Sequence, residues 1–295
     1  FNFLFGMGFL NFCFSLAAFF FAFGFYVRRA ERFSWKHAAA LALLAAWVYF
    51  CHPVTLVMLL LAVGTFGCWQ VWLHAQQVGW RPKVWWRAAS ERLVLPLLSF
   101  VPVLLLLVTF VGRRLDRPNA RLDFTVKLKH LLGLYSLVSF DRRLLVISVG
   151  VAALLGLLVL LVVWQRRRDG SLKPSPADGL LAIAAVFTIV YFAAPSTLAG
   201  GGFLNHRLGL FPPLALLLWS ASGRLTPRAR RATQLAGVLL AIGMLATLWT
   251  RWSRLDGYLN EYVATADLIE DGRTVLPLAF APQGVEITGD GEGQG

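Results

Sequence analysis

Apolar runs long enough to cross a lipid bilayer alternate with short polar segments along most of this chain. Hydrophobic residues make up 58% of the 295 positions, and the 15% that are charged cluster between the runs. The mean hydropathy is +0.65. About 20 consecutive apolar residues span the hydrocarbon core as an α-helix, and no run shows the period-two alternation of a membrane β-barrel. The sequence therefore predicts an all-α, polytopic helical membrane protein.

We expect about eight transmembrane helices, which together form a multi-span domain over residues 1–250. The predicted helices cover residues 3–26, 35–51, 54–73, 93–112, 144–165, 179–194, 208–221 and 233–250. We expect residues 251–295 to form an extracytoplasmic C-terminal segment that is partly disordered or truncated. In this segment the sequence predicts a helical piece over 255–269, a strand over 274–280 and a glycine-rich acidic end.

The basic residues predict the orientation of the helices. The segments after the first, third, fifth and seventh helices carry the larger share of the 28 Lys and Arg residues. The positive-inside rule therefore places these segments in the cytoplasm, and the N-terminus and C-terminal segment outside. The expected location is a membrane with one face toward the cytoplasm. Residue 1 is Phe and lies within an apolar run, so we expect a fragment that lacks an upstream part.

The outer loop over residues 113–143 contains a predicted interfacial amphipathic helix over residues 124–140. Apolar side chains recur there at helical spacing, whereas Lys129 lies on the opposite face. Lys127 falls within the apolar arc, and we expect its ammonium group to extend to the interface or to contact an anion. Lys127 and Lys129 are therefore candidates for binding a lipid-carrier phosphate, with anchoring to anionic lipid as the alternative.

A polar break over residues 195–213 interrupts two apolar runs. Unpaired backbone groups in lipid cost several kcal/mol each, so this break must lie at a membrane face or line a cavity. It contains three consecutive glycines, at residues 200–202, followed by Asn205, His206 and Arg207. An outer-face arginine opposes the usual charge bias, and a guanidinium group can bind phosphate in bidentate fashion with help from the glycine amides. We interpret the three polar residues as an anion site; the alternative is a charged loop end.

His52 is a further candidate because it lies beside Pro53 where two predicted helices meet with almost no loop. It suits a headgroup-binding role or an interfacial position in a tight turn. Asp116, Asp123 and Asp141 in the outer loop are candidates for a base or a metal ligand, or for solvated carboxylates paired with arginine.

No set of metal ligands is visible, and the three cysteines have neither metal nor disulfide spacing. We expect no cofactor, although a divalent metal is compatible with the sequence. The net charge of +13 is accounted for by residues that flank apolar runs. We therefore expect the lipid bilayer, and no nucleic acid, as a partner.

Three phrases of the sequence resemble a known family: FNFLFGMGFLNFCFSLAAFFFAFGFYVRR, YFCHPVTLVMLLLAVG and LNHRLGLFPPLALLLW. They are similar to bacterial multi-span proteins related to the GT-C glycosyltransferases, the group of the protein mannosyltransferases and aminoarabinose transferases. The resemblance implies transfer of a sugar from a polyprenyl-phosphate donor to an extracytoplasmic acceptor. It also implies a catalytic Asp or Glu in the first outer loop, which we expect upstream of residue 1. Arg207, His206 and His52 would then lie near the donor phosphate.

Two other functions fit the sequence. Short helices broken at His52-Pro53 and at 211–213 are typical of transporters, although no ionisable residue falls deep within a predicted span. The third interpretation is a non-catalytic membrane component of envelope-polysaccharide assembly. It predicts that the outer polar residues can be substituted freely.

Overall fold

The computed structural model describes residues 2–79, 82–112, 121–138, 143–170, 173–198 and 202–264. Over these residues the regular secondary structure is helical and includes no β-strand, which confirms the all-α fold class for this part of the chain. The α-helices are α1 (Phe3–Gly6), α2 (Leu10–Arg29), α3 (Trp35–Cys51), α4 (Pro53–Val78), α5 (Pro82–Ala89), α6 (Leu95–Leu98), α7 (Val101–Gly112), α8 (Phe124–Leu132), α9 (Arg143–Arg168), α10 (Asp178–Ala193), α11 (Leu204–Leu208), α12 (Phe211–Ser222) and α13 (Pro227–Ala264). A π-helical stretch, Ser90–Val94, joins α5 to α6.

The helices form a bundle with two distinct ends. The upper end is the end that holds Arg207, and it contains the junction between α3 and α4 at His52. The ring of Phe12, near the start of α2, contacts both of these side chains there. Helix α8 also lies at this end, because Lys127 hydrogen-bonds to the last carbonyl groups of α10.

The lower end of the bundle is the end that holds Asp178, the first residue of α10. Tyr26, near the end of α2, donates a hydrogen bond to the carbonyl oxygen of Arg92 at 2.8 Å. Trp69 of α4 donates to the carbonyl oxygen of Ser175 at 2.9 Å. The long helices thus run alternately between the two ends.

Five helices, α2, α3, α4, α10 and α12, form the inner bundle and contribute most of its apolar core. Three phenylalanines connect three of these helices at its centre. The ring centroid of Phe211 lies 5.4 Å from that of Phe19 and 5.5 Å from that of Phe187. Such aromatic pairs contribute about 0.5–1.5 kcal/mol each beyond the area they bury. The phenylalanine-rich first run of the sequence is therefore core-forming.

Helices α9 and α13 form an antiparallel pair outside the inner bundle. A methyl group on Gly150 would lie 3.0 Å from Leu240, and one on Gly243 would lie 3.9 Å from Ile147, so the two helices run in opposite directions. Only 11% of the most apolar window of each helix is buried within the protein. Their exposed apolar faces are those expected of helices in contact with lipid.

Four helices of the described chain are long and apolar enough to cross a membrane: Leu10–Arg32, Pro53–Val78, Arg143–Arg168 and Pro227–Glu261. A fifth span is obtained if Pro82–Leu98 and Val101–Phe110, which meet at a 40° bend, are taken together. Pro102 accounts for this bend, because a proline cannot donate to the carbonyl group four residues earlier. Helices α3, α10 and α12 have 17, 16 and 12 residues, shorter than the usual length of a span.

The last two predicted helices differ from the observed ones. The seventh begins at Phe211 rather than at residue 208, because the preceding turn forms the separate helix α11. The eighth continues without a break to Ala264, about 57 Å in all, so the boundary expected after residue 250 falls within one helix. The predicted strand over 274–280 and the glycine-rich end lie outside the described residues.

The predicted amphipathic helix over 124–140 is shorter than expected. Helix α8 ends at Leu132, because Leu134 has a φ of +47° and directs the chain into a 3₁₀ turn, Tyr135–Leu137. The exposed face of α8 carries large apolar side chains, whereas Lys127 faces the bundle with 4% of its surface exposed. Lys127, expected to extend to the interface or to contact an anion, therefore points into the bundle.

Candidate anion-binding site at the upper end

The junction at His52 follows from the proline that comes after it. Pro53 cannot continue α3 because it has no N–H group, but its fixed φ suits the first turn of α4. His52 is held in extended backbone, with φ −165° and ψ 120°, as is usual before proline. Its N–H group donates to Val48, and its carbonyl oxygen accepts from Thr55 at 3.1 Å. The imidazole is thereby fixed at the helix junction.

The His52 ring meets the ring of Phe12 edge to face, with centroids 5.1 Å apart. The Nδ1 atom is buried and has no hydrogen-bond partner. Burial, and to a smaller extent the positive charge of Arg207, lowers the pKa of His52 to about 4. The imidazole is therefore neutral at pH 7 and retains an unused donor or acceptor.

The short helix α11 places Arg207 at the same junction. Phe203, with a φ of +58°, turns the chain into α11, and Gly209 follows its last residue. A methyl group on Gly209 would lie 2.8 Å from Ser136 Oγ and 2.9 Å from the Asn205 carbonyl oxygen. Only glycine allows this close approach between α11 and the 3₁₀ turn.

The Arg207 side chain is buried among aromatic rings. It is 9% exposed, and its guanidinium carbon lies 4.9 Å from the ring centroid of Phe9 and 5.9 Å from that of Phe12. The Nε atom is buried without a hydrogen-bond partner, and no carboxylate of the described residues forms an ion pair with Arg207. Burial lowers the pKa of Arg207, but a guanidinium group remains protonated in proteins. A positive charge is therefore buried here without a counter-charge among the described residues.

Asn205 adds a second group with unused hydrogen bonds. It is 3% exposed, and neither its Oδ1 nor its Nδ2 atom has a hydrogen-bond partner. A buried polar group left unpaired costs about 1–3 kcal/mol, and such groups are rare in native proteins. Asn205 and Arg207 are thus two buried residues of the short helix α11 that have unused hydrogen-bonding atoms.

His206 faces a separate ring cluster at the same end. Its ring stacks on Phe3 with centroids 4.4 Å apart and lies 6.0 Å from the ring of His130, which stacks on Tyr135 at 4.4 Å. Burial, and secondarily His130, lowers the pKa of His206 to about 4. The side chains of His206 and Arg207 therefore point to different clusters. Arg207 faces His52, whereas His206 faces His130.

Lys127 contacts the protein backbone. Its Nζ atom donates to the carbonyl oxygens of Phe192 and Ala194, at 2.9 and 2.6 Å, at the end of α10. These carbonyl groups have no partner within the helix, so the ammonium group caps α10 and complements its dipole. Burial lowers the pKa of Lys127, and the nearby Arg121 adds to the shift. These two carbonyl groups occupy two of the three N–H donors of Lys127. The burial of this lysine therefore requires no bound ligand.

The remaining candidates do not join this cluster. Lys129 is exposed on α8. Asp123 accepts hydrogen bonds from the backbone N–H and the hydroxyl group of Thr125, which caps α8 and lowers the pKa of the carboxyl group. Asp116, Asp141 and two of the three consecutive glycines, at 200 and 201, lie outside the described residues. No group of three metal-binding side chains occurs within the described part of the chain.

The sequence reading missed the aromatic surroundings of the site. Phe9 and Phe12 contact Arg207, and Tyr135 contacts His130, but the sequence predicts none of these contacts. Many phenylalanines occur in the first apolar run, and the sequence contains no signal that separates those beside the arginine from those in the core.

Comparison with protein families, with curated proteins and with solved structures finds no match to this chain. The glycosyltransferase resemblance therefore depends on the quoted sequence phrases alone.

Proposed function

We propose that the protein is an integral membrane glycosyltransferase that binds a polyprenyl-phosphate sugar at the upper end of an eight-span bundle. The observation that carries the proposal is the buried Arg207, whose positive charge has no counter-charge among the described residues. Asn205, on the same short helix, has an unpaired amide. A phosphate group supplies both the missing negative charge and the missing acceptors. His52, neutral and unpaired, contributes a further hydrogen bond to the bound group.

An apolar groove beside the site supports a donor with a hydrocarbon chain. A cavity of about 260 Å³ between α9 and α12 begins at Gly209, two residues after Arg207. Its lining is almost entirely apolar, and includes Leu154, Leu158 and Leu217. In this proposal the phosphate contacts Arg207 and the hydrocarbon chain lies in the groove, which is connected to Arg207 through the backbone of α11 and Gly209.

The eight-span arrangement follows from treating α3, α10, α12 and the bent α5–α7 series as spans in addition to the four long helices. Their alternation between the two ends agrees with this arrangement, and local thinning of the bilayer accommodates short helices at modest cost. The charge bias then makes the upper end extracytoplasmic in a bacterial inner membrane.

In the proposed reaction, a hydroxyl group of the acceptor attacks the anomeric carbon of the sugar with inversion. The bond between that carbon and the phosphate oxygen breaks, and the phosphate leaves with the electron pair. A carboxylate outside the described residues takes the hydroxyl proton. Arg207 and Asn205 hold the phosphate, where charge accumulates as the bond breaks.

The test compares Arg207→Met with Arg228→Met, an exposed arginine at the lower end, in the purified full-length protein. Arg207→Met is expected to bind polyprenyl phosphate about 10- to 100-fold more weakly, because hydrogen bonds to charged groups contribute about 1.5–3 kcal/mol. Without ligand it should melt no lower than wild type, because it removes an unpaired buried charge. Arg228→Met should match wild type in both measurements.

Wild-type affinity in Arg207→Met would exclude the arginine from the site. If Arg207→Met melts at a lower temperature than wild type but binds polyprenyl phosphate as tightly as wild type, Arg207 is a structural residue.

A transporter is the second candidate function, favoured by the meeting of two helix breaks. The α3–α4 junction at His52 and the α11–α12 junction at Gly209 both adjoin Arg207, and interrupted helices around one charged residue are typical of transporter sites. Uptake of a labelled solute into proteoliposomes, with no binding of polyprenyl phosphate, would favour this function over the enzyme. Absence of both activities would favour a non-catalytic component of envelope-polysaccharide assembly.

A further inference from the structure

A second polar cavity lies at the lower end of the bundle, far from Arg207. Its volume is about 690 Å³, within the range of small-molecule sites in proteins. It opens between the end of α9, the start of α10 and the end of α12. Its lining includes Val162, Asp169, Lys173, Trp219 and Arg224. Helix α10 separates it from the upper end by about 24 Å.

The carboxylate of Asp178 forms part of one wall of the cavity, and all its acceptor positions are occupied. Asp178 accepts hydrogen bonds from the guanidinium group of Arg166, from the indole of Trp219 and from the backbone and hydroxyl groups of Ser175. The Arg166–Asp178 pair is therefore neutral overall, and it connects α9, α10 and α12. The Arg166–Asp178 pair therefore holds the wall of the cavity in place, and the net charge available to a ligand comes from other residues.

The other charged side chains of the lining leave one unit of positive charge. Lys173 and Arg224 are exposed cations, and neither forms an ion pair within the described part of the chain. Asp169 is the remaining carboxylate of the lining. Two cations and one carboxylate match a ligand with one negative charge that also carries hydroxyl groups able to donate to Asp169.

Tryptophans around the cavity give the level of the membrane surface. Trp219 lies in its wall, and Trp69 contacts Ser175 beside it. Arg168 covers the ring of Trp164 on the last turns of α9, with its guanidinium carbon 5.7 Å from the ring centroid. Tryptophan together with basic residues at helix ends is typical of the membrane–water interface. The cavity therefore opens where lipid headgroups are found.

We propose that this cavity binds the headgroup of an anionic phospholipid with a single phosphodiester, of the phosphatidylglycerol type. Lys173 and Arg224 pair with the phosphate, and Asp169 accepts hydrogen bonds from the headgroup hydroxyls. Val162 and Trp219 provide apolar contact on the side toward the hydrocarbon core. Basic pockets between transmembrane helices are suited to such headgroups. The proposal does not depend on glycosyl transfer at the upper end.

The test uses the purified full-length protein in detergent, with bound lipid counted by native mass spectrometry. Phosphatidylglycerol is expected to bind in preference to phosphatidylcholine, and Lys173→Gln and Arg224→Gln should each weaken its binding about fivefold. Arg228→Gln is the matched control, because Arg228 is exposed at the same end and outside the lining. It should bind as wild type does.

Two further arms separate the lipid from free phosphate. Inorganic phosphate and glycerol phosphate, each at millimolar concentration, are expected not to displace phosphatidylglycerol, because they lack the apolar contact. Displacement by either would show a free-phosphate site and overturn the proposal. Equal binding of phosphatidylcholine, or equal weakening in Arg228→Gln, would also overturn it, since the attraction would then not be specific to this cavity.

Discussion

At the scale of single residues, Lys127 shows how a local pattern differs from its tertiary outcome. Its position in an apolar arc correctly indicated an unusual lysine, but the partners lie on α10, 65 and 67 residues further along the chain. No short-range rule connects residue 127 with the end of a helix at 193. The anion-binding interpretation of Arg207 follows from guanidinium chemistry, the neighbouring glycines and the charge bias, whereas the unpaired atoms of Asn205 are evident only in the folded chain.

Lys127→Met should lower the stability of the protein by about 2–3 kcal/mol, because it leaves two carbonyl groups at the end of α10 without a charged donor. Lys129→Met is the matched control two residues away, and as an exposed substitution it should change stability by less than about 0.5 kcal/mol. Thermal unfolding of both variants in detergent measures the difference. Equal melting temperatures would show that the Lys127 hydrogen bonds do not stabilise α10.

At the scale of helices, the boundary at Pro53 could be predicted, whereas the bend near Pro102, the start of α12 and the close approaches that depend on packing could not. Pro53 separates α3 from α4 where the sequence indicated, because its ring acts on the residues beside it. The close approach of α4 to the stretch Ser90–Val94 had no such signal. A methyl group on Gly67 would lie 2.8 Å from the Arg92 carbonyl oxygen and 3.0 Å from the Tyr26 hydroxyl.

Gly67→Ala should therefore destabilise the protein by about 1–3 kcal/mol, because backbone and not a flexible side-chain tip must move. Gly64→Ala, one turn earlier on α4, is the control. A methyl group there would meet only Leu97, at 3.7 Å, and the higher helix propensity of alanine should leave stability unchanged or slightly raised. The melting temperatures of the two variants in detergent give the comparison. A similar loss of stability in both would show that the close approach at Gly67 does not determine the effect of the substitution.

At the scale of the whole molecule, the alternation of the helices predicts that the two ends lie on opposite sides of a membrane. Lys129 is exposed at the upper end and Arg228 at the lower end. The sequence indicated this arrangement through its basic segments, because charge bias is a property of the entire chain and survives errors in individual helix boundaries. It also indicated that α3, α10 and α12 are short, because the predicted ranges 35–51, 179–194 and 208–221 fall below the usual length of a span.

Lys129→Cys should be labelled by a membrane-impermeant maleimide in intact cells, and Arg228→Cys only after permeabilisation. Both are made in a background in which Cys13, Cys51 and Cys68 are replaced by serine or alanine, because all three are free thiols. Labelling of both cysteines in intact cells would place the two ends on the same side. The reverse pattern would invert the orientation while preserving the alternation.

The peripheral position of α13 has a consequence for which parts of the sequence are free to vary. The main core cluster of the described chain contains no residue of α9 or α13. Substitutions in α13 therefore meet mainly the facing side of α9 and, in a membrane, lipid hydrocarbon, which accepts apolar side chains of varied shape. Substitutions on the buried face of α2 must instead fit the closely packed core that α2 forms with α3, α4, α10 and α12. Sequence change should thus accumulate far faster in the last helix than in the first long one, without disturbing either end of the bundle.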